Sequence, residues 1–308
     1  MEVKMVNQKQ FRTHREGSPW ASGLLHGFFL VMCVFCLFPI VLVLIASFTD
    51  ESILRTGGYT YFPKIWSTAA YRYLFIDIHQ LLRAYGVTIV ITVGGTITSL
   101  FISSLVAYPM SRQDFPYRKI LSFYVFFTIL LNGGLVPWYL VYTQIIDLRD
   151  TIWALMIPGL LMNGFNVLIM RTFFSNSVPI SVIESARIDG AGEWRIFFQL
   201  VLPLSVSVLA TIGMFTTLAY WNDWFNGLIF ISDSHYFSVQ YLMTKALLNI
   251  QFLSSHTENA NSAKLISEMP QNSIIMAMAV IGIGPILISY PFFQKYLVKG
   301  LTVGSVKG

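Results

Sequence analysis

The sequence predicts an all-α, polytopic membrane protein with six transmembrane helices, and three observations carry that expectation. Of 308 residues, 55% are hydrophobic and only 11% are charged, against about 25% charged in an average soluble domain. One water-soluble core cannot hide that much apolar surface. Six apolar stretches are long enough to cross a bilayer whose ~30 Å hydrocarbon layer needs about 20 helical residues. Lys and Arg also fall unequally on the two sides, as they do when both termini are cytoplasmic. Backbone polar groups within a bilayer must be satisfied inside their own segment, so the spans are expected to be helices.

Residues 1–19 form a basic cytoplasmic segment, and residues 20–308 the transmembrane domain. The first apolar run exceeds the 7–15 residues of a signal-peptide core, so a retained anchor is expected. The spans are placed at residues 24–48, 85–110, 120–142, 152–174, 200–220 and 274–293. Glycine and proline interrupt three of them: Gly133, Gly134 and Pro137 in the third, Pro158 and Gly159 in the fourth, and Gly282, Gly284 and Pro285 in the sixth. Kinks and close helix approach are expected there. With the N-terminus inside, thirteen of the twenty Lys and Arg residues lie on inner segments and seven on outer ones. This charge balance puts the loop at 175–199 in the cytoplasm, a large loop at 222–272 outside, and the tail at 295–308 inside. Within the outer loop, residues 237–253 are apolar but carry Lys245 and Gln251. They read as an amphipathic helix on the outer surface rather than a span.

Much chemistry is missing. No G-x-x-x-x-G-K-[ST] loop occurs, so this chain is not expected to hold ATP in that way. Cys33 and Cys36 share one helix face, but no second Cys or His pair accompanies them. Packing is their expected role, and no metal site or catalytic residue is expected. The basic residues are spread over short loops rather than gathered in a patch, which argues against nucleic acid. Acidic side chains are nearly absent from the span interiors, Asp223 at the outer end of the fifth being the nearest. A gradient-driven carrier usually needs such a group, so the drive is expected from a separate ATPase. Asn163 and Asn166 in the fourth span could line a polar path or bond between helices. Tyr220, Trp221, Trp224 and Phe225 could stack on a sugar ring or form an interfacial belt, and Asn222 beside them could line the substrate path.

One loop is unusually ordered in its spacing: residues 184–203 read ESARIDGAGEWRIFFQLVLP. Pro179 suits a first helical turn, residues 181–188 contain no breaker, and Gly190 stands where a left-handed cap ends a helix. A helix of about eight residues is too short to persist alone in water, so something must hold it. A second helix is expected to start at Glu193 and run into the membrane past Pro203. The twenty positions resemble the EAA loop of ABC-importer permeases: Glu184 and Ala186 at the opening, Gly190 at the fixed glycine, Leu202 and Pro203 at the end. Ser185 replaces an alanine and Leu200 an isoleucine. The run Ala107-Tyr108-Pro109-Met110-Ser111-Arg112 is similar to a motif of carbohydrate permeases, and the C-terminal thirteen residues are similar to their closing segment. Together these resemble the MetI/MalG-like fold and its carbohydrate branch, including LplC/YtcP-like oligosaccharide permeases.

The resemblance implies a subunit of a binding-protein-dependent ABC importer that moves a sugar, an oligosaccharide by its branch, across the cell membrane. It implies a homologous second permease, two ABC ATPase subunits that bind ATP and Mg, and an extracellular solute-binding protein, lipid-anchored in a single-membrane cell. This chain would bind no cofactor itself. Glu184, Ser185, Ala186, Arg187, Asp189, Gly190, Leu202 and Pro203 would make up the coupling element, with Arg187 and Arg195 pairing with Glu184 or with ATPase carboxylates. The outer loop would meet the binding protein, and the tail beyond Lys299 would reach the ATPases. The competing readings are a permease for a non-sugar solute, a stand-alone channel or carrier, and a membrane receptor or signalling anchor.

Overall fold

The computed structural model describes residues 19–255 and 270–304. The expected segments at 1–18, 256–269 and 305–308 lie outside the described residues. Among the described residues the secondary structure is helical, with one isolated β-bridge between Thr49 and Trp66.

Helix α1 (Pro19–Ser47) is the first span, and short α2 (Glu51–Gly57) and α3 (Ala69–Leu74) follow it. The central helix, α4 (Ile78–Ser111), packs against α8 (Gly164–Ser177) and α12 (Val206–Trp221). The last helix, α15 (Gln271–Gly304), lies against α12 and α1. Small residues bring α4 and α12 together. Tyr220 covers Gly95 so closely that any Cβ there would fall well inside van der Waals contact with its ring. Thr96 and Thr217 hydroxyls stand 3.3 Å apart, and Leu100 packs over Gly213. Such close approach is what holds helices together in lipid, where apolar burial gives no drive.

Three helices are long and apolar enough to cross a membrane singly, and two bent pairs bring the number to five among the described residues. The third expected span is not one helix. α5 (Arg118–Leu130) stops, the chain turns through 115°, and α6 (Leu135–Leu140) continues into a π-helical turn at Val141–Ile145. The cause is local: Gly134 takes φ +85°, and Asn132 Oδ1 accepts the Gly134 N–H at 2.9 Å. The fourth is also interrupted. Only α7 (Trp153–Met156) precedes Pro158 and Gly159, whose φ of +73° redirects the chain before α8 begins. At 14 residues α8 is too short to count as a span alone. The fifth bends by 79° at Ser205, so Leu202 and Pro203 belong to a separate arm, Glu193–Leu204, and the span proper starts at Val206.

Proline does not break the sixth. Pro285 lacks the N–H that would reach Ile281 O, and its ring crowds that turn. The Tyr85 hydroxyl donates to Ile281 O at 2.8 Å, and Trp221 Nε1 donates to Gly282 O at 3.0 Å. Tyr85 thus satisfies the carbonyl that Pro285 leaves open, as lipid requires, and Trp221 adds a second bond at the next carbonyl. At the outer end, the Glu51 carboxylate accepts from Asn272 and Ser273 N–H, both at 3.1 Å, where the positive end of α15 favours an anion.

Helix α14 (Val239–Ser255) occupies the segment expected to lie flat on the outer surface. Its start is not superficial. Phe237, Ser238, Val239 and Tyr241 are buried, and Val239 N–H donates to Thr88 Oγ1 on α4 at 2.9 Å. Lys245 is exposed, and its Nζ lies 4.5 Å above the Phe237 ring.

Candidate functional site: the capped loop after α8

The loop after α8 folds as its spacing predicts. α9 spans Ile180–Ile188 behind Pro179, and Asp189 is its C-cap. Gly190 follows at φ +79°. Gly190 N–H donates to Arg187 O at 3.0 Å and Ala191 N–H to Ala186 O at 2.9 Å, the paired bonds of a Schellman cap. Ile183 is buried and Ala186 half-buried, and both face the core formed by α4, α8 and the arm. Glu184, Ser185, Arg187, Ile188, Asp189 and Gly190 are exposed. Ala186 is therefore small because it packs inward on the body of the protein. Ile188 is 86% exposed and Trp194 66%, a large apolar display on the side where the charge balance puts water.

α9 is tied down by side chains from three elements. Arg187 Nη1 donates to Asp114 Oδ2 at 2.6 Å, and its Nε donates to Glu193 Oε1 at 2.9 Å. The other oxygen of Glu193 accepts from the Tyr108 hydroxyl at 2.7 Å. Arg112, buried, stacks 5.3 Å above the Tyr108 ring and donates from Nη2 to Phe174 O at 3.0 Å. Ser175 Oγ donates to Ser111 O at 3.2 Å. One chain of contacts thus joins the end of α4, the α4–α5 turn, the end of α8, α9 and the arm. The expected pairing of Arg187 and Arg195 with Glu184 is not what forms: Arg187 binds Asp114 and Glu193, and Arg195 donates to Gln199 at 3.0 Å. Glu184, three residues back on α9, is within helical reach, but Asp114 and Glu193 already hold the Arg187 guanidinium. The hydrogen bond from Arg187 holds the Asp114 carboxyl below the usual carboxylate range, and burial lowers Arg112.

Tyr108, Ser111 and Arg112 came to notice only as part of a family motif, and their contacts with the coupling loop were not foreseen. The one available signal was the placement of a Tyr and an Arg where a span meets the cytoplasm. Asp114 and Glu193 gave no signal, because their partner lies in another part of the chain.

The residues expected along a polar path are split up. Asn163 is not within a span but caps α8, its Oδ1 accepting from Phe165 and Asn166 N–H at 2.9 and 3.4 Å. Asn163 is exposed and Asn166 half-buried. Tyr220 and Trp221 are buried, so neither stacks on a solute nor joins an interfacial belt. The Tyr220 hydroxyl donates to Met156 O at 2.8 Å, and Asn226 Nδ2 donates to Pro158 O at 3.0 Å. Together they satisfy carbonyls that the break in the fourth span leaves open. Asn222 donates back to Leu218 O in its own helix. Trp224 and Phe225 remain exposed.

Known proteins share this architecture. YtcP of Bacillus subtilis, a polygalacturonan/rhamnogalacturonan transport system permease protein, is 37% identical over 286 residues, covering 92% of this chain and 97% of its own. Protein LplC of the same organism is 37% identical over 270 residues, 88% of this chain and 89% of its own. Among solved structures, a chain of a bacterial ABC transporter involved in the import of the acidic polysaccharide alginate superposes with a TM-score of 0.73 at 26% identity. It covers 89% of this chain and 96% of its own. The family profile itself runs over residues 99–303, from mid-α4 through the capped α9 to the last helix, and places this chain among the binding-protein-dependent transport system inner membrane components.

Proposed function

We propose that this chain is one of two homologous permease subunits in an ABC importer for a carbohydrate, an oligosaccharide in the first instance. Separate ATPase subunits, which bind ATP and Mg, drive it through α9, and the chain itself holds no cofactor. The observation that carries this reading is α9: a two-turn helix, capped at Gly190 and braced from behind, with Glu184, Ser185, Ile188 and Asp189 turned outward. A helix this short gains nothing from projecting into water unless a partner receives it. The carbohydrate cargo is supported by what the similar permease and the similar transporter carry.

In this reading both termini are cytoplasmic, and an extracellular solute-binding protein, anchored by lipid in a single-membrane cell, delivers cargo to the outer face near residues 222–272. The helix continuing through Gly304 carries the C-terminal tail toward the ATPases. Closure of the ATPase pair displaces α9. The bonds from Arg187 to Asp114 and Glu193, and from Glu193 to Tyr108, pass that displacement to α4 and to the arm. The spans then tilt as rigid bodies between inward-open and outward-open arrangements.

The test is co-purification. A Gly190→Val variant should insert in the membrane and pair with the second permease, yet lose its ATPases and its transport. Normal transport by that variant with its ATPases attached would contradict the assignment.

A further inference from the structure

Helices α5 and α8 pack together and part at one end. They touch where Ile129 covers Gly164, so closely that a Cβ there would lie 2.9 Å from Ile129 Cγ1. Ser122 precedes Ile129 on α5 by about two helical turns, and Arg171 follows Gly164 on α8 by as much. Both therefore lie about 10 Å from the crossing along their own helices. At that level the two helices and the α4–α5 turn, through Gln113 and Pro116, line an open cleft of about 660 Å³, within the size range of small-molecule sites.

The cleft is basic. Arg118, Lys119 and Arg171 line it, and no carboxylate does. Arg118 and Arg171 are half-buried and Lys119 is exposed. None of the three side chains forms an ion pair among the described residues. The nearby acids are placed elsewhere: Asp114 holds Arg187, and Glu184 lines a neighbouring cavity with that pair. Three like charges repel one another unless an anion joins them. α5 adds to the field. Its N-cap, Tyr117, makes no side-chain bond to the first turn, which contains no acidic residue, so the positive end of the helix is open to an anion.

The sidedness of basic loops accounts for cations at this end of the spans, but not for their gathering round a cleft. Nor does it account for what adjoins them. The helix face of Lys119 continues at helical spacing through Phe123, Phe126 and Leu130, all three exposed. A molecule seated here meets cations at its head and an apolar track along its tail. A soluble anion or a protein carboxylate would use the first and leave the second bare.

We propose that this cleft binds the phosphodiester headgroup of an anionic phospholipid from the inner leaflet, with an acyl chain along Phe123, Phe126 and Leu130. Arg118 and Arg171 offer paired donors that fit phosphate oxygens, and Lys119 a point charge. Basic pockets between helices on the cytoplasmic side hold lipid headgroups in this way. Arg118 also lines the cavity against α9, so a bound headgroup steadies the turn whose Asp114 braces that helix.

The test is native mass spectrometry of the assembled transporter, delipidated in detergent and titrated with phosphatidylglycerol or with phosphatidylcholine of the same acyl chains. The probe variant carries Arg118→Gln, Lys119→Gln and Arg171→Gln. A control loses the same charge from three exposed cations of the segment between α2 and α4, through Lys64→Gln, Arg72→Gln and Arg83→Gln. The tightest-bound phosphatidylglycerol should weaken about a hundredfold in the probe variant and about fivefold in Arg171→Gln alone. The single variant gives the answer should the triple one fail to assemble. Phosphatidylcholine should bind the parent more weakly than phosphatidylglycerol, and the control should match the parent. Phosphatidylglycerol held as tightly by Arg171→Gln as by the parent, equal affinity of the parent for the two lipids, or an equal loss in the control would each overturn the proposal. Inorganic phosphate should leave no adduct on the parent. An adduct that disappears with Arg171→Gln would mean that a soluble anion occupies the cleft, and would overturn it too.

Discussion

Gly190 and Gly95 need glycine for opposite reasons. Around Gly190 a Cβ would meet nothing within 4 Å, but φ is +79°, so the cost of any other residue is conformational. Gly190→Ala should lower the stability of the cap by about 1–2 kcal/mol, read as local hydrogen-exchange protection of Ala191 and Gly190. Unchanged protection would contradict it. Gly95 has ordinary helical geometry and no space. Gly95→Ala should push Tyr220 off Met156 O and lower thermal stability in detergent by about 1–3 kcal/mol, while Tyr220→Phe should cost about 1 kcal/mol through the lost hydrogen bond. If the alanine variant were as stable as the parent, the packing of α4 on α12 would be looser than described. Chain spacing alone identified Gly190. It could not identify Gly95, because the side chain that fills its place is 125 residues away.

At the scale of elements, the three charged groups bracing α9, Arg187, Asp114 and Glu193, are partly exposed, and their value lies in geometry more than in energy. Asp114 and Arg187 side chains are 54% and 38% accessible, so solvent screens them. A double-mutant cycle with Arg187→Ala and Asp114→Ala should give a coupling of about 0.2–1 kcal/mol. The sign with pH follows from the lowered carboxyl. The contribution is complete above the free-carboxylate pKa of about 4 and fades as pH falls through the lower folded value. Thermal denaturation should therefore show no loss of coupling from pH 7 to about pH 5; a coupling that vanished in that interval would contradict the pairing. The same elements show where sequence is a poor guide. Hydropathy located three spans that are single helices and two that are bent pairs, yet it drew the third and fourth expected spans as continuous, because Asn132-Gly133-Gly134 and Pro158-Gly159 sit inside runs that remain apolar throughout. Glycine and proline flagged both places as kinks. Whether a flagged residue bends, breaks or passes unnoticed depends on its neighbours, as Tyr85 and Trp221 decide for Pro285.

Over the whole molecule, the membrane class and the α9 cap were legible from composition and spacing. The bracing of α9 and the structural roles of Tyr220 and Trp221 were not, because each depends on atoms brought together by packing. The outcome is a body in which α4 packs on α8 and α12 along its length and on α14 at one end, and reaches α9 indirectly, through Tyr108 and Glu193 to Arg187. A displacement of α9 then has a stiff route to the spans. That account depends on a nucleotide-driven partner holding the outward face of α9, and Ile188 is its most exposed apolar residue. The direct measurement is thiol crosslinking of an Ile188→Cys variant in membranes that contain the complete transporter, with Ala186→Cys, half-buried against the core, as the comparison. The account predicts a strong crosslink from position 188 to an ATPase subunit and a weaker one from position 186. No crosslink to any ATPase from position 188, with all subunits present, would contradict it.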